Sequence, residues 1–113
     1  MAKLVLRIEF GPEQAIGPGK IRLLELIDAH RSIAAAGRAM NMSYRRSWLL
    51  VDSLNRCFKQ AVVEARQGGR AGGGAALTDF GRSLVAHYRG MEEEAGRATR
   101  RRLRALRSSL RTS

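Results

Sequence analysis

The feature that most constrains this chain is the stretch from Ser32 to Phe58, where one helix start follows another across a short polar break. Ser32 opens the run SIAAAGRAM, and a serine hydroxyl is a good acceptor for the free N–H groups at a helix start. Ala34, Ala35, Ala36 and Ala39 make that helix, to about Met40, short and easy for a neighbour to approach. Asn41-Met42-Ser43 interrupts it, and Ser43 is placed to cap a further helix to about Phe58. Two consecutive helices joined by a tight turn predict a helix-turn-helix.

The flanks narrow the fold. KLVLRIEF, residues 3–10, alternates Leu4, Leu6, Ile8 and Phe10 against Val5, Arg7 and Glu9, which predicts a half-buried strand. Gly11-Pro12 and Gly17-Pro18 punctuate a loop, and Pro18 suits the first turn of a helix. Residues 19–30 carry Ile21, Leu24 and Ile27 at helical spacing, with Leu23 and Leu26 widening the stripe. Beyond Phe58, residues 61–66 read as a strand, Gln67 to Gly74 as a loop or turn, and Ala75 to Leu77 as a short returning strand. Thr78 caps a long helix with Asp79 in its first turn. Leu84, Tyr88, Met91 and Ala95 then repeat at 4-3-4 spacing, a seam that can pair with another helix. The expected fold class is mainly α with a small β-ribbon: a winged helix-turn-helix with a long C-terminal helix. Residues 1–95 form the domain, with a dimerisation helix from 78. Residues 96–113 form an arginine-rich extension that either continues the helix or trails as a basic arm.

Charge identifies the class of partner. The chain has 113 residues with 21 Lys+Arg and 10 Asp+Glu, net +11. Residues 1–94 hold 14 of the basic groups and all ten acids, net +4, while residues 95–113 hold seven arginines and no acid, net +7. A polyanion is expected, although a basic tail by itself does not choose between nucleic acid, anionic membrane and acidic protein. No apolar run approaches the ~20 residues that cross a bilayer. The single cysteine, Cys57, allows no internal disulfide and reads as an inert, partly buried thiol. The expectation is a cytoplasmic protein with no membrane partner. His30 and His87 lie far apart and match no metal-ligand spacing, and GGRAGGG is not followed by the Gly-Lys-Ser/Thr of a phosphate-binding loop. No catalytic residue, metal or cofactor is expected.

On a helical wheel of residues 44–58, Ser47, Val51, Leu54 and Phe58 fall in one arc and Tyr44, Trp48 and Asn55 flank it. Arg45, Arg46, Leu49, Ser53 and Arg56 occupy the opposite arc. Guanidinium forks there can pair with guanine O6/N7 or with phosphate, or simply be solvated. Trp48 reads as a packing residue, and Tyr44 as either a packing ring or a phosphate donor. In helix-turn-helix proteins the first turns of the second helix enter the major groove, which selects Ser43, Tyr44, Arg45 and Arg46, with Leu49 and Arg56 on the same face. Arg70, set among glycines, can approach the DNA backbone or minor groove.

Residues 32–58, SIAAAGRAMNMSYRRSWLLVDSLNRCF, resemble the helix-turn-helix of LysR-like regulators. NMSYRRSW followed by GGRAGGGAALTDFG resembles the N-terminal DNA-binding domain of the molybdate-responsive, ModE-type transcriptional regulators, over about residues 17–94. The resemblance implies a winged helix that dimerises partly through its long terminal helix, where the 4-3-4 spacing already puts Leu84, Tyr88 and Met91 at the expected seam. It puts Tyr44, Arg45 and Arg46 at the start of the recognition helix and Arg70 in the wing. Family members add β-barrel domains that bind molybdate or tungstate. This chain ends RATRRRLRALRSSLRTS, so molybdate sensing is not expected of it alone. The expected function is a sequence-specific transcriptional regulator binding double-stranded DNA as a homodimer. The alternative is a non-specific nucleic-acid-binding or protein-interaction module using the basic tail.

Overall fold

A computed structural model describes residues 2–66 and 74–111. The elements run β1 (Ile8–Gly11), β2 (Gln14–Ile16), α1 (Pro18–His30), α2 (Ile33–Ala39), α3 (Tyr44–Cys57), β3 (Val63–Arg66), β4 (Gly74–Leu77) and α4 (Asp79–Ser108). The fold is a winged helix-turn-helix, and it carries one strand more than expected.

That strand is β2. Gly11-Pro12-Glu13 reverses the chain, with Glu13 left-handed at φ 61°, and Gln14–Ile16 returns antiparallel with Ile16 opposite Ile8. The expected strand over 3–10 is correspondingly shorter: only Ile8 onward finds a partner. Residues before it are held by side chains instead, the Tyr88 hydroxyl donating to the Leu6 carbonyl at 2.7 Å. The alternation survives in Leu4, Leu6 and Ile8, which are half-buried, but Phe10 departs from it. Its ring is 57% exposed and meets Phe58 edge-on at 5.9 Å.

α1 supplies the centre of the core. Pro18 opens it at a position where a missing N–H is harmless, and Ile21, Leu23, Leu24 and Ile27 are fully buried. They pack with Ala36, Val51, Leu54, Val62, Leu77, Leu84 and Tyr88, so every helix and the ribbon share one core. Arg31 ends α1 in a left-handed conformation, and its carbonyl accepts the Ala75 N–H at 3.1 Å. A Cβ at Gly74 would lie 2.7 Å from that carbonyl, so the ribbon docks here only through glycine.

β3 and β4 pair from Val63↔Leu77 to Arg66↔Gly74. Residues 67–73, and with them the expected wing contact Arg70, lie outside the described residues. Thr78 caps α4, accepting the Gly81 N–H at 2.9 Å and donating to the Ala61 carbonyl at 2.6 Å. α4 then runs 30 residues to Ser108, about 45 Å, unbroken across residue 95. The arginine-rich extension is therefore helical through Ser108.

Two expected seam residues are corrected. Leu84 is 7% and Tyr88 0% exposed, both covered by the chain's own core, and only Met91 of the three reaches the surface, at 37%. The 4-3-4 spacing marks an apolar face, and in a domain this small that face is spent first on the domain's own interior. Among the described residues no helix is long and apolar enough to cross a membrane.

Candidate nucleic-acid interface

The turn between α2 and α3 sets the site. Ser32 Oγ accepts the Ala35 N–H at 3.0 Å, which starts α2. Asn41 takes a left-handed φ of 58°, a conformation its short polar side chain tolerates. The Met42 N–H returns to the Gly37 carbonyl at 2.8 Å. Ser43 Oγ then accepts the Arg46 N–H at 3.1 Å, and Ser47 Oγ donates to the Ser43 carbonyl at 2.9 Å. The first turn of α3 is thus fixed from inside and outside. α2 lies so close that a Cβ at Gly37 would fall 2.1 Å from Ser47 Oγ.

α3 buries Ser47, Val51 and Leu54, as its wheel requires. Ser43, Tyr44, Arg45, Arg46 and Leu49 are exposed together at its N-terminal end. Tyr44 is 59% and Leu49 47% exposed. A shallow depression of about 230 Å³ opens there, lined by Ser43, Arg45, Arg46, Leu49 and Leu50. Among the described residues neither Arg45 nor Arg46 has an acidic partner, whereas Arg56 pairs with Asp52 at 3.1 Å. Arg56 also lies three turns further on, about 16 Å along the axis from Arg45. The structure therefore joins five of the expected residues and sets Arg56 apart.

Trp48 differs from expectation. It is 46% exposed, less covered than a core residue, because α3 meets the core through the Ser47–Val51–Leu54 strip and Trp48 lies on the flank of that strip. Asn55 has a role that the wheel alone did not reveal. Its Oδ1 accepts the Val62 and Val63 N–H groups at 2.7 and 3.0 Å, and its Nδ2 donates to the Val63 carbonyl at 3.1 Å. This amide holds the root of the ribbon against the end of α3, and it uses up the backbone groups that a strand beginning at 61 needs. An asparagine late in a helix and just before a strand is the signal that marks it.

The frame behind the site is ionic as well as apolar. Arg89 of α4 forks onto Glu25 of α1 at 2.8 and 2.9 Å and reaches Glu92 at 2.6 Å. The Arg89 hydrogen bonds hold the Glu25 carboxyl below its ordinary value, and burial pushes the Tyr88 phenol up. Among the described residues no cluster of His, Cys, Asp and Glu could hold a metal ion.

No family model matches the chain. It is 45% identical over 73 residues to the molybdenum-pterin-binding protein MopA of Rhodobacter capsulatus, 65% of this chain and 28% of that one. It is 38% identical over 94 residues to the molybdenum transport protein ModE of Azotobacter vinelandii, 83% of this chain and 34% of that one. It is 30% identical over 87 residues to the DNA-binding transcriptional dual regulator ModE of Escherichia coli K12, 77% of this chain and 33% of that one. The chain thus spans about a third of the length of these curated relatives. Among solved structures, the CbnR DNA-binding domain, determined in complex with DNA, superposes with a TM-score of 0.59 at 20% identity, covering 78% of this chain and 95% of that one. By sequence the chain is a homologue of ModE- and MopA-type proteins over about a third of their length, and its fold is a winged helix.

Proposed function

We propose that this chain is a transcriptional regulator that binds double-stranded DNA in a sequence-specific manner, α3 entering the major groove. The observation that carries the reading is the pair Arg45 and Arg46, exposed on the first turn of α3 and without acidic partners among the described residues. A guanidinium free of internal partners keeps its donors for guanine O6/N7 or phosphate. The free N–H groups of that helix end favour a phosphate as well. The names of the ModE relative in Escherichia coli and of the CbnR complex support the same partner. The arginines of α4 after Thr99 add a sequence-independent attraction, and Arg70 of the glycine loop is proposed to reach the flanking backbone or minor groove.

A homodimer completes the reading. The exposed side of α4, including Met91, pairs two copies, and two α3 helices about 34–36 Å apart, or a multiple of that, read a palindrome. The test is selection from randomised duplex DNA at physiological salt, followed by affinity for the selected site and for random DNA. Arg46→Ala is expected to cost on the order of 1–3 kcal/mol on the selected site and much less on random sequence. Equal weakening on both makes Arg46 a phosphate contact. Failure to select any sequence refutes the regulator reading and leaves non-specific attachment through α4.

A further inference from the structure

We infer that Leu49 reads the 5-methyl group of a thymine in the major groove, beside a base pair read by Arg45 or Arg46. The inference rests on the DNA-binding reading above. Leu49 is a large apolar side chain left 47% exposed, yet it does not lie at the margin of the core. At 100° per residue it points about 165° away from the centre of the Ser47–Val51–Leu54 strip, on the outermost side of α3 with Arg45 and Arg56. Arg45 and Arg46 precede it by four and three residues, so all three side chains share one patch. All three line the depression of about 230 Å³, together with Ser43 and Leu50.

Exposed leucines and unpaired arginines each occur on ordinary surfaces and at protein interfaces. Together on the first turns of the second helix of a helix-turn-helix they match the two kinds of group that a major groove offers. In the major groove guanine offers two acceptors to an arginine fork, and thymine alone among the four bases offers an apolar group. Leucine has no donor or acceptor, so it cannot read guanine, cytosine or adenine edges by hydrogen bonding. The combination therefore selects a thymine next to an arginine-read position.

Replacing single thymines of the selected duplex with deoxyuridine removes the methyl and nothing else. For the unmodified full chain, one thymine per half-site is expected to lower affinity about fourfold on replacement, the equivalent of one buried methyl. In Leu49→Ala that ratio falls to about one, while circular dichroism and the melting curve stay unchanged, as befits a half-exposed side chain. Trp48→Ala, on the flank of the same helix, keeps the ratio. The inference is overturned if no thymine is methyl-sensitive, if Leu49→Ala retains the sensitivity, or if Trp48→Ala alone removes it. In each of these cases the duplex is still selected, so the regulator reading stands. A chain that selects no duplex removes both.

Discussion

Gly37→Ala sets local helix preference against tertiary packing. In the middle of an exposed helix, alanine is worth about 1 kcal/mol more than glycine. Here the added Cβ falls 2.1 Å from Ser47 Oγ, 3.1 Å from Ser47 Cβ and 3.5 Å from the Met42 carbonyl oxygen. Ser47 is fully buried and its hydroxyl is engaged with the Ser43 carbonyl. The hydroxyl can swing away only by giving up that bond, and the Cβ can retreat only if α3 moves. Overpacking of this kind costs about 1–3 kcal/mol and the surrendered hydrogen bond about 1 kcal/mol. Against about 1 kcal/mol of helix preference, the net loss is about 1–3 kcal/mol, measured as a shift in the urea midpoint at constant slope. Repeating the substitution in a Ser47→Ala background removes the 2.1 Å contact and leaves the 3.1 Å one. The cost should then fall by about 1–2 kcal/mol, a coupling that a double-mutant cycle reads directly. Because Ser47 lies within the first turn and a half of α3, the clash should also tilt Arg45 and Arg46 and weaken the selected duplex at temperatures where the variant is fully folded. A Gly37→Ala chain as stable as the parent, or one whose cost is the same with and without the Ser47 hydroxyl, refutes the packing argument.

Asn55→Ala leaves the Val62 and Val63 N–H groups without their acceptor in buried surroundings, so a loss of about 2–3 kcal/mol is expected; Asn55→Asp, which keeps the acceptor, should lose less in the same urea titration. Glu25 has its folded-state pKa below its ordinary 4.5, so its contribution is complete above that value and is lost as pH falls through the folded pKa. The stability difference between the parent and Glu25→Gln should therefore be flat near neutrality and shrink below about pH 4.5, and a difference that grows on acidification contradicts the sign. Neutralising Arg100, Arg101, Arg102 and Arg104 to glutamine should reduce the salt slope of DNA affinity by about 0.9 for each phosphate no longer neutralised, without changing which duplex is selected. Leu84→Arg, at a position 7% exposed, should unfold the chain instead of producing a folded monomer in sedimentation.

The helix-turn-helix was legible because its signals are local. Ser32, Ser43 and Thr78 each cap the helix that follows them, and capping depends on a single side chain and three residues of backbone. The core arc of α3 was legible for the same reason. What escaped depends on partners distant in sequence. β2 is three residues long and has no pattern of its own, being defined by its pairing with β1. Trp48 and Tyr88 exchange roles relative to expectation: periodicity gives each a face, but only the assembled core decides which faces are covered. Tyr88 is claimed by Leu6, 82 residues away, while Trp48 is left 46% exposed. Asn55 was placed on the correct side of α3, but its use requires knowing that the chain turns back there at Val62 and Val63.

The net charge of +11 also changes meaning once its partners are known. Arg7, Arg22, Arg56, Arg66, Arg82, Arg89 and Arg97 each stand within ion-pair distance of a carboxylate. Their acids are Glu9, Glu25, Asp52, Glu64, Asp79 and Glu93, with Glu92 joining at Arg89. Among the described residues, the arginines without such a partner are Arg31 and Arg38 around α2, Arg45 and Arg46 on α3, and those from Arg100 onward, along and just past α4. Exposed pairs of this kind add little stability, but they cancel much of the field of the arginines they involve. Among the described residues, the arginine charge without such a partner is therefore concentrated at two places: the helix-turn-helix and the far end of α4. At the first, arginines stand beside an apolar side chain, a combination able to distinguish bases. At the second they are interleaved with Leu106 and Leu110, each 66% exposed, along a helix end outside the helix-turn-helix, where the expected contribution is attraction to phosphate without choice of sequence. Exchanging Arg45 and Arg46 for glutamine should therefore abolish preference for the selected duplex while leaving most of the non-specific affinity. Neutralising the end of α4 should do the reverse. If both changes weaken specific and random DNA by the same factor, the two charge centres are one continuous surface and the division fails.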